Sequence, residues 1–388
     1  MKYRVCVVTG TRADYGLLRE LLFRIRDNDR MDLDLMVTGS HLSSSFGNTQ
    51  NEIIQDGFTF TAMPIPIEMD SQSDIGRATG RAIIGFTDCF EYSRPDIVVV
   101  LGDRYEILSV VIAARMQDIP VAHISGGDVT EGAIDDAIRH SITKMSQIHF
   151  PGCEQSRKRI IQMGENPDTV FNVGEPGVEN CLKTRFIERE ALAGELGFPG
   201  IKNDYAMVTF HPVTLEEGTG LQQVRELISA MDCFPELHFI VTLANADAGG
   251  RAINSLWHEA GESRTNWLVK SSLGMVRYLS AVKSSKLVIG NSSSGIVEAP
   301  ALGVPTVNIG DRQKGRMLSD SIICCKPETG DIVNAIQKAL AMDFQEGAKR
   351  TVSLFGTGDT SALIEKHILQ FLENYKGSNK KTFYDIEF

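Results

Sequence analysis

The chain has 388 residues, enough for two ordinary domains, and its 42% hydrophobic and 23% charged residues are the proportions of a globular protein with a substantial core. A formal net charge of −11 repels a polyphosphate backbone and argues against nucleic-acid binding, so a small anionic ligand would need cations concentrated around it. No stretch approaches the ~20 apolar residues that span a bilayer, and the opening MKYRVCVVTG lacks the longer apolar run and small-residue cleavage site of a secretory signal. A cytoplasmic location without membrane attachment is expected.

Short β-rich runs alternate with helical spacing from the start. Val5–Val8, Leu33–Val37, Ile97–Leu101, Val121–Ile124, Ile148–Phe150 and Val170–Val173 read as strands. Leu17, Leu18, Leu21, Leu22 and Ile25 lie at helical intervals between the first two, and Ile107, Val110, Val111 and Ala114 follow the third. The pattern then restarts with Met207–Phe210, Phe239–Leu243, Leu287–Ile289, Thr306–Ile309 and the shorter Ile322–Ile323. Helical stretches at Leu221–Met231 and Met275–Val282 lie among them. Continuous apolar strands alternating with helices predict parallel sheets covered on both faces. The fold class is therefore α/β, with domains at 1–175 and 204–360, a linker at 176–203, a C-terminal helix at 361–375 and a polar tail at 376–388. The tail is expected to be disordered rather than docked on a partner subunit. The seven cysteines form no CxxC pair and read as buried, reduced thiols.

In open parallel sheets, ligands sit outside the carboxyl ends of the strands, so chemistry should cluster just after them. Strand one runs into Gly10-Thr-Arg-Ala-Asp-Tyr-Gly16, which is not the GxGxxG of a dinucleotide site. Arg12 and the helix N-terminus there could both hold phosphate. Strand 97–101 runs into Gly102-Asp103-Arg104-Tyr105-Glu106, where Asp103 is either a helix N-cap or a group facing a ligand. The densest polar segment follows strand 121–124: His123, Ser125, Gly126, Gly127, Asp128, Glu131, Asp135 and Arg139, the last two sharing a helix face.

In the second half, His211-Pro212-Val-Thr214 follows one strand and Asn245-Ala-Asp247 another. Gly290-Asn-Ser-Ser-Ser-Gly295 enters a helix with small residues whose N–H groups and hydroxyls suit a diphosphate. Glu298 lies within reach of sugar hydroxyls, and Gly310-Asp-Arg312-Gln-Lys314-Gly-Arg316 supplies cations. Asp32 and Asp34 form a DxD inside a strand and read as structural. No metal or cofactor is expected.

Together, GTRADYG, LGDRYE, HxxGG with IDDAIRHSITKMS, HPVT, GNSSSGIVE and GDRQKGR resemble the hydrolysing UDP-N-acetylglucosamine 2-epimerases, in the branch serving sialic and legionaminic acids. The match runs in order from Gly10 to Arg316. It implies a GT-B-type architecture of two Rossmann-like, doubly wound domains facing each other across a cleft, and conversion of UDP-N-acetylglucosamine and water to N-acetylmannosamine and UDP. It also implies a homodimer or homotetramer. By motif, nucleotide contacts fall to Arg12, Arg104, His211, Asn245, Ser292, Ser293, Ser294, Gly295, Glu298 and Arg312, and the chemistry to Asp103, His123, Asp135 and Arg139. Several members carry Glu where this chain has Ser125; serine has no carboxylate to offer, and Asp128, then Glu131, are the expected substitutes.

The C2 hydrogen of a 2-acetamido sugar is too weakly acidic for direct abstraction at neutral pH, so UDP departure from C1 must lead. Asp103, with Asp135 second, is then the expected base at C2, and Asp128, Glu131 and His123 compete as the acid. Alternatives are the same reaction on a 2,4-diacetamido-trideoxy nucleotide-sugar, suggested by Ser71–Gly80 with Ile84-Gly-Phe, and an acceptor-dependent GT-B glycosyltransferase.

Overall fold

Strands in this protein are built from runs such as Val5–Val8 and Ile97–Leu101, whose side chains point alternately to two buried faces. The computed structural model describes residues 2–43, 48–65, 72–130, 134–212, 219–244 and 250–386, the side chains of Gln72 and Thr219 excepted. The chain divides into two units: Met1–Asp128, Asp135–Glu179 and Gly356–Phe388 form the first, Val129–Ile134 and Asn180–Phe355 the second.

Unit 1 holds β1 (Tyr3–Thr9), β2 (Met31–Thr38), β3 (Thr61–Met63), β4 (Ile97–Leu101), β5 (Val121–Ile124) and β6 (Ile148–Phe150) in one parallel sheet of order β3-β2-β1-β4-β5-β6. Val5, Val7, Ile97 and Val99 pack on the face covered by the helices Arg12–Asp27 and Thr360–Asn374, through Leu18, Leu22, Ile364 and Ile368. Cys6, Val8, Val98 and Val100 pack on the other face, against Phe86, Phe90, Val110 and Ala114 of the helices Gln72–Ser93 and Tyr105–Met116. The strand's two-residue period thus feeds two cores at once.

Unit 2 repeats the plan with β7 (Tyr205–Thr209), β8 (His238–Thr242), β9 (Trp267–Lys270), β10 (Leu287–Gly290), β11 (Thr306–Ile309) and β12 (Ile322–Cys325), in the order β12-β11-β10-β7-β8-β9. Every pairing is parallel. Ala206, Val208, Leu287 and Ile289 face one cluster with Trp257, while Tyr205, Met207 and Val288 face another with Leu192 and Ile201. Read from its other edge, this sheet has the same order as the first. Both are the Rossmann order 3-2-1-4-5-6.

Several expectations change. Val170–Val173 is not a strand; only Val170 bridges to His149, and although Phe171 and Val173 donate to the His149 and Pro151 carbonyls, Pro151 has no N–H with which to continue a ladder. The short β3 and the partly exposed β9 carry too little apolar alternation to have been read from sequence. The described part of the tail docks on unit 1: Asn379 donates to the Asp118 carbonyl, the Tyr384 N–H to the Gly164 carbonyl, and Lys381 pairs with Glu165 at 2.5 Å. Glu165 is a buried carboxylate that also receives Lys144 and His149, so a polar tail had a polar place to go. All seven cysteines are free, but Cys233 and Cys324 are exposed rather than buried. Among the described residues, no helix is long and apolar enough to cross a membrane.

Candidate active site

Where the strand order reverses, between β1 and β4 in unit 1 and between β7 and β10 in unit 2, the loops leaving adjacent strands diverge and open a crevice. The polar segments singled out in the sequence lie at or next to these two points.

In unit 1, Asp103 follows β4 and is bound by Arg139 from the Ile134–Met145 helix. The helix after β4 has Arg104, not Asp103, at its N-cap, so Asp103 is not serving as a cap. Arg139 is buried; its guanidinium also donates to the Asp128 carbonyl at 3.0 Å and lies 3.7 Å from Asp136. Burial opposes its charge, but the carboxylates of Asp103, Asp128 and Asp136 outweigh that and keep it a cation. Asp103 retains a quarter of its side-chain exposure. The result is a carboxylate fixed in orientation by a buried guanidinium, with one side still reachable. Asp135 is half-buried one turn before Arg139.

His123 on β5 has no exposed surface. Its Nε2 lies 2.8 Å from the Gly102 carbonyl, which can only accept, so Nε2 carries the proton; Nδ1, 3.1 Å from Thr143 Oγ1, accepts from that hydroxyl. Burial pushes its pKa down to about 3, so the ring is neutral at physiological pH. His123 therefore holds the Gly102 turn, at φ +81°, beneath Asp103, with both nitrogens engaged. The Asp128 carboxylate, nearly buried, accepts from Ser156 at 2.5 Å. Ser125, immediately past β5, adopts φ +60° and donates to Glu175 Oε2 at 2.7 Å.

The loop after β1 closes on itself. Thr11 and Asp14 form a reciprocal capping box on the Arg12–Asp27 helix: Thr11 N donates to Asp14 Oδ2 at 3.0 Å and Asp14 N to Thr11 Oγ1 at 3.2 Å. The Asp14 carboxylate thus takes the Thr11 N–H beside the terminus that was read as an anion site. Arg12 is partly exposed and lies 3.7 Å from Glu52, and Arg104 bonds the buried Glu106 at 2.6 Å. Burial pushes the Asp14 pKa up to about 6, with Arg104 opposing and Glu106 adding to the rise.

In unit 2, β10 ends at Gly290, whose φ is +136°; a Cβ there would stand 1.9 Å from the Thr209 carbonyl of β7. Only glycine lets the two strands approach so closely at the crevice. The next residue, Asn291, is buried and ties the two strand ends together. Its Oδ1 accepts from the His211 N–H at 2.7 Å, and its Nδ2 donates to the His211 carbonyl at 2.8 Å. The Asn291 carbonyl accepts from Gln313 at 2.8 Å and from Arg312 at 3.0 Å, which draws the cationic segment after β11 to the same loop. The helix Ser294–Ala301 then begins at Ser293 with no side-chain cap bond. Ser292 and Ser294 are half-buried and Ser293 exposed; Ser294 accepts from Tyr278 at 2.8 Å. Gly295 rests on β11, where a Cβ would meet Thr306 Cγ2 at 2.8 Å. Glu298 lies one turn into the helix, and burial raises its carboxyl pKa. The Ser294 N–H donates to Ser292 Oγ at 3.4 Å and the Gly295 N–H to the Ser292 carbonyl at 3.1 Å, so the helix opens on a tight turn of hydroxyls, groups of the kind that suit an anion.

Glu131 and Asn245 lie outside the described residues. Sequence reading missed Glu175, Ser156, Asn291 and Gln313. Asn291 and Gln313 stand within recognised motifs and could have been singled out; Glu175 stands alone before Pro176, and only its partner in space marks it.

Two Rossmann-like units in tandem define a GT-B-like fold. The solved UDP-N-acetylglucosamine 2-epimerase of Neisseria meningitidis, bound to UDP-GlcNAc, has the same fold at a TM-score of 0.79 and 18% identity, covering 95% of this chain and 100% of that one. The UDP-N-acetylglucosamine 2-epimerase family model matches residues 24–369, and the chain belongs to that family. It is 39% identical to the polysialic acid biosynthesis protein P7 of Escherichia coli, over 99% of this chain and 97% of that protein. To the GDP/UDP-N,N'-diacetylbacillosamine 2-epimerase (hydrolyzing) of Campylobacter jejuni it is 37% identical, over 89% of each. Its class is that of the UDP-sugar 2-epimerases.

Proposed function

We propose that the protein is a hydrolysing 2-epimerase that converts UDP-N-acetylglucosamine and water to N-acetylmannosamine and UDP. The observation that carries this reading is Asp103, a partly exposed carboxylate oriented by the buried Arg139 at the end of β4. Unit 2 supplies the nucleotide site: the Ser292–Gly295 loop and Arg312 receive the diphosphate, Glu298 the ribose, with His211 and Asn245 completing it. Cations and N–H groups fixed where the diphosphate leaves stabilise the charge that develops as the C1–O bond breaks. With C1 electron-poor, the C2 proton becomes removable by Asp103, Asp135 standing second, and a 2-acetamidoglucal forms. Hydration then adds water oxygen at C1 and a proton at C2 from the opposite face. Asp128 and Glu131 are the acids the sequence orders for that step; a neutral His123, bonded through both nitrogens, positions the Gly102–Asp103 turn instead.

Incubation with UDP-N-acetylglucosamine in heavy water tests the reading. Free UDP and N-acetylmannosamine carrying deuterium at C2 are expected from donor and water alone. A product with protium at C2, or a requirement for an acceptor, sinks it.

A second reading differs only in the sugar. The likeness to the Campylobacter jejuni enzyme favours a 2,4-diacetamido-2,4,6-trideoxy donor for legionaminic acid synthesis. Assaying both donors side by side, and comparing kcat/KM, decides between them.

A further inference from the structure

The C-terminal tail reaches the helix that orients Asp103. The Ile134–Met145 helix brings Arg139 to the Asp103 carboxylate. One turn further on it brings the fully buried Thr143 to His123, whose ring donates to the Gly102 carbonyl. Asp103 is thus set from two points of one helix: its carboxylate by Arg139, and the turn before it by Thr143 through His123. Where that helix lies decides where the carboxylate lies.

An α-helix leaves its last four carbonyls without partners of its own. At this helix end, the Ser146 hydroxyl donates to the Ile142 carbonyl at 2.8 Å and the Ser146 N–H to the Thr143 carbonyl at 3.1 Å. The next carbonyl, that of Lys144, is met by the tail. Lys381 Nζ donates to it at 2.9 Å, to the Ser146 carbonyl at 2.6 Å and to Glu165 Oε2 at 2.5 Å. An ammonium has three N–H donors, and here it has three acceptors, two of them backbone carbonyls at the end of the Arg139 helix. A cation at that end also suits the negative pole of the helix dipole.

The neighbouring tail residues hold Lys381 in place. Asn379 is nearly buried and donates to the Asp118 carbonyl, in the turn after the Tyr105–Met116 helix, which itself begins beside Asp103. The Tyr384 N–H donates to the Gly164 carbonyl at 3.0 Å, past the end of the Glu154–Gln162 helix. A Cβ on Gly164 would stand 2.4 Å from the Phe383 ring, so only glycine admits the tail there. Between residues 379 and 384 the tail therefore ties together the turns that follow three successive helices, and two of those helices carry or begin next to the Asp103–Arg139 pair.

We infer that Lys381 is a positioning residue for Asp103, acting through the Ile134–Met145 helix; the inference rests on the reading above in which Asp103 is the base at C2. Lys381 touches neither substrate nor reacting atoms. Without its ammonium, the Lys144 and Ser146 carbonyls lose their partner, the helix end loosens, and Arg139 and Thr143 lose the fixed places from which they set Asp103. A displacement of about 1 Å at a reacting group is enough to slow a reaction by up to ~10²-fold.

The test uses the full chain. Lys381→Met keeps the side chain's length and removes its donors, and Lys380→Met makes the same change of charge at the exposed neighbouring position. Assayed with UDP-N-acetylglucosamine well below each variant's denaturation midpoint, Lys381→Met should lose roughly ten- to a hundredfold in kcat, with KM and UDP affinity within about threefold. Lys380→Met should match wild type. Lys381→Arg, whose guanidinium keeps donors for the carbonyls and the carboxylate, should recover part of the lost kcat. Backbone amides of residues 140–146 should exchange faster with heavy water in Lys381→Met, and those of unit 2 at the wild-type rate. Added to Asp103→Asn, Lys381→Met should lower kcat by less than about threefold, because the group through which it acts is already gone. A lysine that only stabilises the fold lowers the midpoint and leaves kcat at the wild-type value, or carries its full loss of kcat into Asp103→Asn; either result overturns the inference. An inactive Asp103→Asn beside a fully active Lys381→Met removes the inference alone. An Asp103→Asn protein that turns over like wild type removes the base and the inference together.

Discussion

The helix after β1 opens with a capping box in which the Asp14 carboxylate takes the Thr11 N–H and Thr11 Oγ1 takes the Asp14 N–H, whereas the helix after β10 opens at Ser293, whose side chain makes no cap bond. Both follow strands at the turning point of a sheet with the same order. Unit 1 has filled that point with carboxylates, Asp14, Asp103 and Glu106, balanced by Arg104 and Arg139. Unit 2 has furnished it with hydroxyls, the Asn291 amide and Arg312. One topology thus carries a carboxylate–guanidinium cluster in one unit and a loop of hydroxyls and amides in the other. A diphosphate brought to the first helix of unit 1 would meet the Asp14 and Glu106 carboxylates, which is why the proposed nucleotide site is in unit 2.

Three substitutions sharpen this contrast or break it. Asp103→Asn should lower kcat by ~10²–10⁴-fold, the range for loss of a positioned acid–base group, while UDP affinity measured by calorimetry stays within about threefold. A large loss of UDP binding would place nucleotide recognition in unit 1 and dissolve the division of labour. Gly290→Ala should cost about 3 kcal/mol, from a glycine-only backbone and the clash with the Thr209 carbonyl. It should appear as a lowered denaturation midpoint together with weakened UDP binding. An unchanged midpoint would mean that the β7–β10 approach is not what shapes the loop after β10.

The smallest effect concerns Asp14. Its folded-state pKa, raised to about 6 chiefly by burial, lies above its unfolded value. Its stabilising contribution is therefore fully present below the unfolded carboxylate range and is lost as pH rises through about 6. Asp14→Asn keeps an acceptor for the Thr11 N–H but cannot ionise. The melting temperature of the variant relative to wild type should accordingly rise between pH 5 and pH 8. A constant difference across that range would show that Asp14 does not ionise on the way.

Much of the fold was legible because its signal is local. Continuous apolar strands such as Ile97–Leu101 and the helical spacing of Leu18, Leu22 and Ile25 depend on neighbours a few residues away, and they placed both sheets. β3, at three residues, and β9, half-exposed, fell below that signal. The polar tail was read as disordered because its partner, Glu165, is buried two hundred residues earlier, and nothing in the tail itself announces it. Within the candidate site, sequence reading found Asp103 and Arg139 as separate motif members. Their pairing needed the Ile134–Met145 helix to carry Arg139 to the end of β4.

Residue order alone therefore determined two parallel α/β units, the glycine- and serine-rich loop after β10 and the family to which these belong, since each is written in short-range period and spacing. Tertiary structure decided which groups can act. Burial with two fixed hydrogen bonds made His123 a neutral prop, the Asp14 carboxylate took the Thr11 N–H, and Ser125 met Glu175 across fifty residues. Protonation state and the reach of a carboxylate are set by what surrounds a side chain in space, and the chain reveals those surroundings only once it is folded.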